Sequence, residues 1–148
     1  MEDCKGISTP MEIKALPGIL VDPENIVNCN EYQSKLGKII YAMLGTRPDL
    51  SFVISTLSKF NSAPTDSHLF AAKRVLRYLK QTNKLGLTYS HNASRSYVIP
   101  ELNGYSDSDH AGDRDDRRST SGYVFILQGA AVLWKSNKQT MVTLSSTE

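Results

Sequence analysis

The sequence predicts an α+β protein, a small three-helix bundle followed by an incomplete antiparallel sheet. Three observations lead there. Between Asn30 and Lys84, apolar residues recur at three- and four-residue spacing. Beyond Lys84 the pattern changes to short β-branched and aromatic runs bounded by Gly, Ser and Asn. Within those runs Gly122–Leu127 is apolar at nearly every position, the signature of a strand covered on both faces, yet no helical stretch follows it to supply the cover.

Residues 1–29 show no sustained period and contain Pro10, Pro17 and Pro23, so they read as an extended arm or linker. The first helix is expected to start at Asn30, with Gln33 answering the cap three residues on. Tyr32, Leu36, Ile39, Ile40 and Met43 form its stripe, and Gly45 suits the stop. In "TRPDLSFVISTLSKF", Thr46 is the expected cap. Pro48 fits the first turn, Asp49 complements the positive helix end, and Leu50, Val53, Ile54, Leu57 and Phe60 make the apolar face. Pro64 and Thr65 open a third helix, "DSHLFAAKRVLRYLKQT". Its apolar face is Ala72, Val75, Leu76 and Leu79, and Lys73, Arg77, Lys80 and Lys84 line another face. Short connections let three such helices pack as a bundle. The expected strands are "LGLTYS", "LNGYSDSD", "TSGYVFILQG" and "AAVLWKS". The final "LSSTE" carries a capping pattern, Ser145 with Glu148, so a helix is announced where the sequence stops. A single turn cannot sustain itself, because nucleation costs more than one turn returns.

The chain has 148 residues, 40% of them hydrophobic, and a formal net charge of +2. Charge is unevenly placed. Residues 1–32 hold six acids and two bases, whereas residues 67–100 hold Lys73, Arg74, Arg77, Lys80, Lys84 and Arg95 and no acid. Such a block favours an anionic partner, nucleic acid above all. Cys4 and Cys29 are too few for a disulfide framework, and with His68, His91 and His110 they form no zinc spacing. The histidines read as surface groups. "MEDCKGISTP" lacks the apolar centre of a signal peptide, and no apolar run approaches membrane-spanning length. The expectation is a protein of the cytoplasm, with the nucleus as the alternative and no membrane partner.

The most specific stretch is "GYSDSDHAGDRDDRRSTSGYVF", with Asp107, Asp109, Asp113, Asp115 and Asp116 beside Arg114, Arg117 and Arg118. Taken alone, acids in a Gly/Ser-rich stretch read as solvated turn residues, here partly neutralised by the three arginines. The same reading makes the basic row of the third helix a solvated face, Tyr78 and Phe70 packing residues, and Trp134 a core strand residue.

"YQSKLGKIIYAMLGTRPDLSFVISTLSKF", "PTDSHLFAAKRVLRYLKQTNKLGLTY" and "YSDSDHAGDRDDRRSTSGYVFILQGAAVLWKSNKQTMVTLSSTE" together resemble the Pol protein of copia-type (Ty-like) LTR retrotransposons. The resemblance runs from about residue 9 to the end, with the motifs in the family's order. It implies that residues 30–90 are thumb and connection helices of a reverse transcriptase. Residues 91–148 would be the opening part of a ribonuclease H-like domain, and residues 1–29 the linker. It also implies that the polymerase's paired metal-binding aspartates lie outside this sequence. Ribonuclease H chemistry gathers carboxylates from separate elements around two magnesium ions. Asp107 matches the first of these carboxylates, and the next would fall two positions past Glu148. His110 departs from the family, where Trp is common. Glu148 ends an unformed helix and has no fixed geometry for a metal.

Three readings follow. The first is a non-catalytic remnant of a transposable element, with Asp107 a vestigial and weak metal ligand and no cofactor of its own. The second is a ribonuclease H subunit completed by a partner chain. The third is a module holding RNA–DNA hybrid or other nucleic acid through Lys73, Arg74, Arg77, Lys80 and Lys84.

Overall fold

A computed structural model describes residues 4–12, 27–90, 101–113 and 116–141. The chain divides into two compact units, Met1–Leu85 and Gly86–Glu148. Among the described residues the architecture is α+β: three α-helices in the first unit and a three-stranded antiparallel sheet in the second.

Helix α1 spans Cys29–Gly45 and is capped two residues ahead of the expected position. Asn28 Oδ1 accepts from the amides of Asn30 (2.9 Å) and Glu31 (3.4 Å). Asn30, the expected cap, lies inside the helix. Gln33 does not close a capping box; its Nε2 donates instead to Asn61 O at 2.9 Å. Two asparagines stand close together in sequence, and the first to meet free amides takes the cap. The stripe is as the spacing predicts, with Tyr32, Leu36 and Ile39 buried. The Tyr32 hydroxyl donates to Leu57 O at 2.8 Å, so its polar end is satisfied inside the core.

Thr46 closes α1, its amide bonded to Ala42 O, rather than opening the next helix. A single 3-10 turn, Pro48–Leu50, precedes α2 (Ser51–Leu57), and a second, Ser58–Phe60, follows it. Helix α3 (Asp66–Gln81) starts at Thr65, whose amide donates to His68 Nδ1 at 3.0 Å. His68 is buried, not a surface group. It stacks on Phe60 with ring centroids 3.7 Å apart, and desolvation pushes its pKa down from the ordinary 6.5. The buried stripe of α3 is His68, Leu69, Ala72, Val75 and Tyr78, while Leu76 and Leu79 lie at its margin.

Leu50, Val53 and Leu57 join the buried residues of α1 and α3 in one core. Each such side chain contributes about 1.5–3 kcal/mol through burial. Arg47 is drawn into this unit as well, only 5% exposed. Its guanidinium holds Asp49 in a two-point contact (3.0 and 2.8 Å), lies over the Tyr78 ring at 5.2 Å, and donates to Thr82 O and Oγ1. The N-terminal segment, expected as an extended arm or linker, is described over residues 4–12. It has no regular structure, yet Ile7 and Met11 pack against the helical core.

In the second unit the order is β1 (Leu102–Ser108), β2 (Thr120–Leu127), β3 (Ala130–Lys138). "LGLTYS" forms no strand. Its end is tied to the β2–β3 turn by Ser90 N to Gln128 O (3.0 Å) and Tyr89 Oη to Ala131 O (2.8 Å). That turn has two central residues at positive φ, Gln128 (52°) and Gly129 (86°), the geometry that matches strand twist and favours Gly. A bulge at Phe125/Ile126 shifts the register so that Val132 has no direct partner on β2.

On β1, Gly104 faces Phe125, and a Cβ there would lie 2.7 Å from Phe125 Cε1. The ring covers the glycine and fills the width a side chain would take. β2, the central strand, is half-buried along most of its length. Leu102, Tyr105 and Leu133 are more than half exposed, and among the described residues no helix lies in this unit. The expected cap at Ser145–Glu148, and also His91, Arg95, Arg114 and Asp115, lie outside the described residues.

Candidate functional site

Asp107 sits near the end of β1, exposed, directly opposite Gly122, with Ser136 next across the sheet. Directly opposed residues share a face. The face therefore carries Tyr105 and Val124 on one side of Asp107 and small residues beside it. A Cβ built on Gly122 would meet only Lys135 O, at 3.7 Å. Among the described residues the strand opposite thus offers it no side chain, and its Oδ1 accepts from Ser108 N at 2.8 Å.

The other described aspartates of the motif are engaged in building the loop. Asp109 extends the ladder: its amide donates to Thr120 O at 3.0 Å and its Oδ1 accepts from Thr120 N. Asp113, its side chain only 5% exposed, and Asp116 both pair with Lys138 Nζ at 2.8 Å. Asp116 also forms an ion pair with Arg118 at 3.3 Å. The hydrogen bond from Lys138 holds Asp116 below the usual carboxylate range. Burial alone would pull Lys138 down, but its bonds to Asp113 and Asp116 outweigh that and raise it. Ser119, buried, accepts from Ala111 N through Oγ (3.2 Å) and from Gln139 N through its carbonyl (2.8 Å).

The arginines of the motif were expected to balance its acids, and Arg118 does so in part. The central cation is Lys138, from the far end of β3. No sequence pattern pointed to it, because a β-hairpin separates it from the loop. On donor chemistry, the described carboxylates do not fit a two-magnesium site. One is presented outward, and the others already serve an amide or an ammonium. Among the described residues, no three His, Cys, Asp or Glu side chains form a metal-holding group.

The second candidate region is the outer face of α3. Phe70, Lys73, Arg74 and Arg77 follow the i, i+3, i+4, i+7 spacing of one face, Lys80 stands in the last turn, and Lys84, expected on the same face, lies in the turn past the helix end at Gln81. Phe70 is 64% exposed, so it stands on the surface at the head of the cationic row. Tyr78 is not part of that row; it is buried, and its hydroxyl bonds to Asp49. Lys73, Lys80 and Lys84 are exposed, and Arg74 and Arg77 are half-buried. Arg74, Arg77 and Lys80 are occupied by the N-terminal segment. Arg74 pairs with Glu12 (2.8 Å) and donates to Thr9 Oγ1 (2.9 Å). Arg77 Nε donates to Lys5 O (2.7 Å), and Lys80 Nζ to Cys4 O (2.9 Å). Among the described residues, no helix is long and apolar enough to cross a membrane.

Over its whole length the chain is 36% identical to the retrovirus-related Pol polyprotein from transposon TNT 1-94 of Nicotiana tabacum. It is 39% identical to that from transposon RE1 of Arabidopsis thaliana, again over its whole length. It is also 50% identical, over 79% of each chain, to a protein named secreted RxLR effector protein 161 from Plasmopara viticola. No family model matches the chain, and no solved structure matches it significantly. The chain belongs to the retrovirus-related Pol family of copia-type transposons. It spans 10–11% of the length of the Pol polyproteins from TNT 1-94, RE1 and RE2.

Proposed function

We propose that this chain is the part of a copia-type Pol protein that joins the thumb and connection helices of the reverse transcriptase to the first strands of ribonuclease H. By itself it does not cut nucleic acid. The observation that carries the reading is the division of labour among the aspartates. Asp107, which the resemblance matches to the first ribonuclease H carboxylate, is exposed on β1 opposite Gly122. Asp109, Asp113 and Asp116 are held by Thr120, Lys138 and Arg118. A single carboxylate holds magnesium weakly, because the ion keeps its water shell until several oxygens converge. Magnesium, where other carboxylates complete the site, would supply water activation and leaving-group stabilisation. This chain contributes one oxygen-bearing side chain and an open strand face.

The test is hydrolysis of a labelled RNA–DNA hybrid by the purified chain in magnesium. The expected rate equals that of Asp107→Asn. Cleavage at an enzymatic rate that disappears in Asp107→Asn overturns the reading.

A second element of the proposal rests on α3. Its row from Phe70 to Lys84 contains no acid, and phosphate contact by lysine and arginine is independent of sequence. The row is the surface we assign to nucleic acid, in keeping with a helix beside a template–primer duplex. Changing Lys73, Arg77 and Lys80 to Ala is expected to weaken duplex binding evenly across sequences. It should also flatten the dependence on log salt, by about one for each altered cation that reaches phosphate.

A further inference from the structure

Three of the five cations assigned to nucleic acid are already in use within the chain. Residues 4–12 run along α3 as a strap, and in each of its bonds to the row a cation donates to an oxygen. Arg77 and Lys80 donate to main-chain carbonyls of Lys5 and Cys4, and Arg74 meets the Thr9 hydroxyl and the Glu12 carboxylate. Two features fix the strap's path. Ile7 and Met11 turn inward onto the helical core. Between Lys5 and Ile7 the chain passes so close to the last turn of α3 that a Cβ on Gly6 would lie 2.9 Å from Gln81 Cβ. Only a residue without a side chain passes there. Beyond that crossing, a cleft lined by Ser8 and residues 81–85 separates the strap from the helix end and leaves Lys84 at its edge.

We infer that residues 4–12 are an intramolecular competitor for the phosphate-binding row of α3, and that nucleic acid binds fully only when this strap is lifted. The inference rests on the reading of α3 as the nucleic-acid surface. The chemistry gives the competition its direction. Carbonyl oxygens and a hydroxyl carry partial charge, and Glu12, the one full charge, is 60% exposed. A phosphate backbone offers a full negative charge at each position and forms stronger, charge-assisted bonds with the same donors. The strap therefore lowers affinity without abolishing it. It half-covers Arg74 and Arg77 and engages the exposed Lys80 through Cys4 O, and it leaves Lys73, Lys84 and Phe70 on the open surface, where a first encounter can occur.

The experiment measures binding of a short DNA duplex of arbitrary sequence to the full chain as a function of salt, for the wild type, Gly6→Val and Ile7→Asp. Gly6→Val lifts the strap by steric exclusion at Gln81, and Ile7→Asp by removing its apolar anchor. Neither residue contacts the duplex in the proposed mode. Both variants are expected to bind about three- to tenfold more tightly at low salt, since each exposed strap contact is weak. Both should also show a salt slope steeper by about two to three as the masked cations come into play. Adding Gln81→Gly to Gly6→Val restores room for the strap and should return affinity to the wild-type value. Amide exchange at Lys5–Thr9 should quicken when the wild-type chain binds duplex.

Equal affinity and slope in all variants, with binding still lost in the Lys73/Arg77/Lys80 alanine variant, overturns the strap and leaves the surface standing. Absence of duplex binding in the wild type and in both strap variants overturns the surface assignment and the strap with it.

Discussion

The Tyr78 hydroxyl donates to Asp49 Oδ2 at 2.7 Å, and the same oxygen accepts from Arg47 at 2.8 Å. The bond fastens α3 to the turn ahead of α2 and places a nearly buried guanidinium between them. Thr82 closes the group, its hydroxyl accepting from Arg47 and donating to Tyr78 O. Burial pushes the Asp49 carboxyl up, but the bonds from Arg47 and Tyr78 outweigh it and hold the group below 3.8. Removing the carboxylate leaves Arg47 buried without a charge partner. Asp49→Asn is expected to destabilise the helical unit by about 2–3 kcal/mol, below the range for fully buried pairs because Asp49 is partly exposed. Tyr78→Phe should cost about 1–2 kcal/mol. In urea unfolding, the double variant should lose less than the sum. An additive result would show that the two residues act separately. The Asp49 contribution is present above pH 3.8 and lost as pH falls through the lowered folded value.

His68 gives the helical unit a second, milder pH dependence. Its Nδ1 accepts from the Thr65 amide, a bond that imidazolium cannot make, and desolvation lowers its pKa from 6.5. The unfolded chain therefore binds this proton more readily than the folded one. Stability is full above pH 6.5 and declines as pH falls from there toward the folded value. His68→Gln keeps an acceptor at the third helical position and removes the titration. Thermal midpoints of this variant should be level between pH 7 and pH 5 where the wild type falls. A parallel fall in both proteins would place the titration elsewhere.

Lys138 holds the β1–β2 loop shut through Asp113 and Asp116. Lys138→Met leaves the buried Asp113 carboxylate without its ammonium and should cost the sheet unit about 2–3 kcal/mol. The local readout is hydrogen exchange at Asp113, Arg117 and Gln139, whose amides bond within or beside this loop. Those amides should lose protection before the β2–β3 hairpin does. Unchanged protection would mean that the backbone bonds alone define the loop.

The sheet should be the less protected of the two units. Leu102, Tyr105, Val132 and Leu133 are exposed on β1 and β3, the two edge strands. Exposed apolar edges promote association. Leu133→Lys is expected to reduce light scattering at high concentration and to weaken the fluorescence of an apolar dye, with little change in the unfolding midpoint of the helices. Equal, strong exchange protection across Leu102–Lys138 and the α1–α3 core would contradict this.

Local physics was legible in the linear chain. The apolar period of α1 and α3, the Pro48 turn, and three of the four expected strands follow from spacing and backbone preference, which act over a few residues. The positions of Asp107 on a strand and of the cations along one helix were equally readable. What required the tertiary structure was every choice among competing partners. Asn28 rather than Asn30 caps α1, because the cap belongs to whichever side chain meets the free amides. His68 lies inside, because Phe60 and Thr65 receive it there. Lys138 neutralises the acidic loop from across a hairpin, and a segment with no periodicity of its own lies on α3 because Ile7 and Met11 find the core. Long-range contacts depend on which surfaces the folded backbone brings within a few ångströms, and neighbouring residues in sequence do not encode that distance.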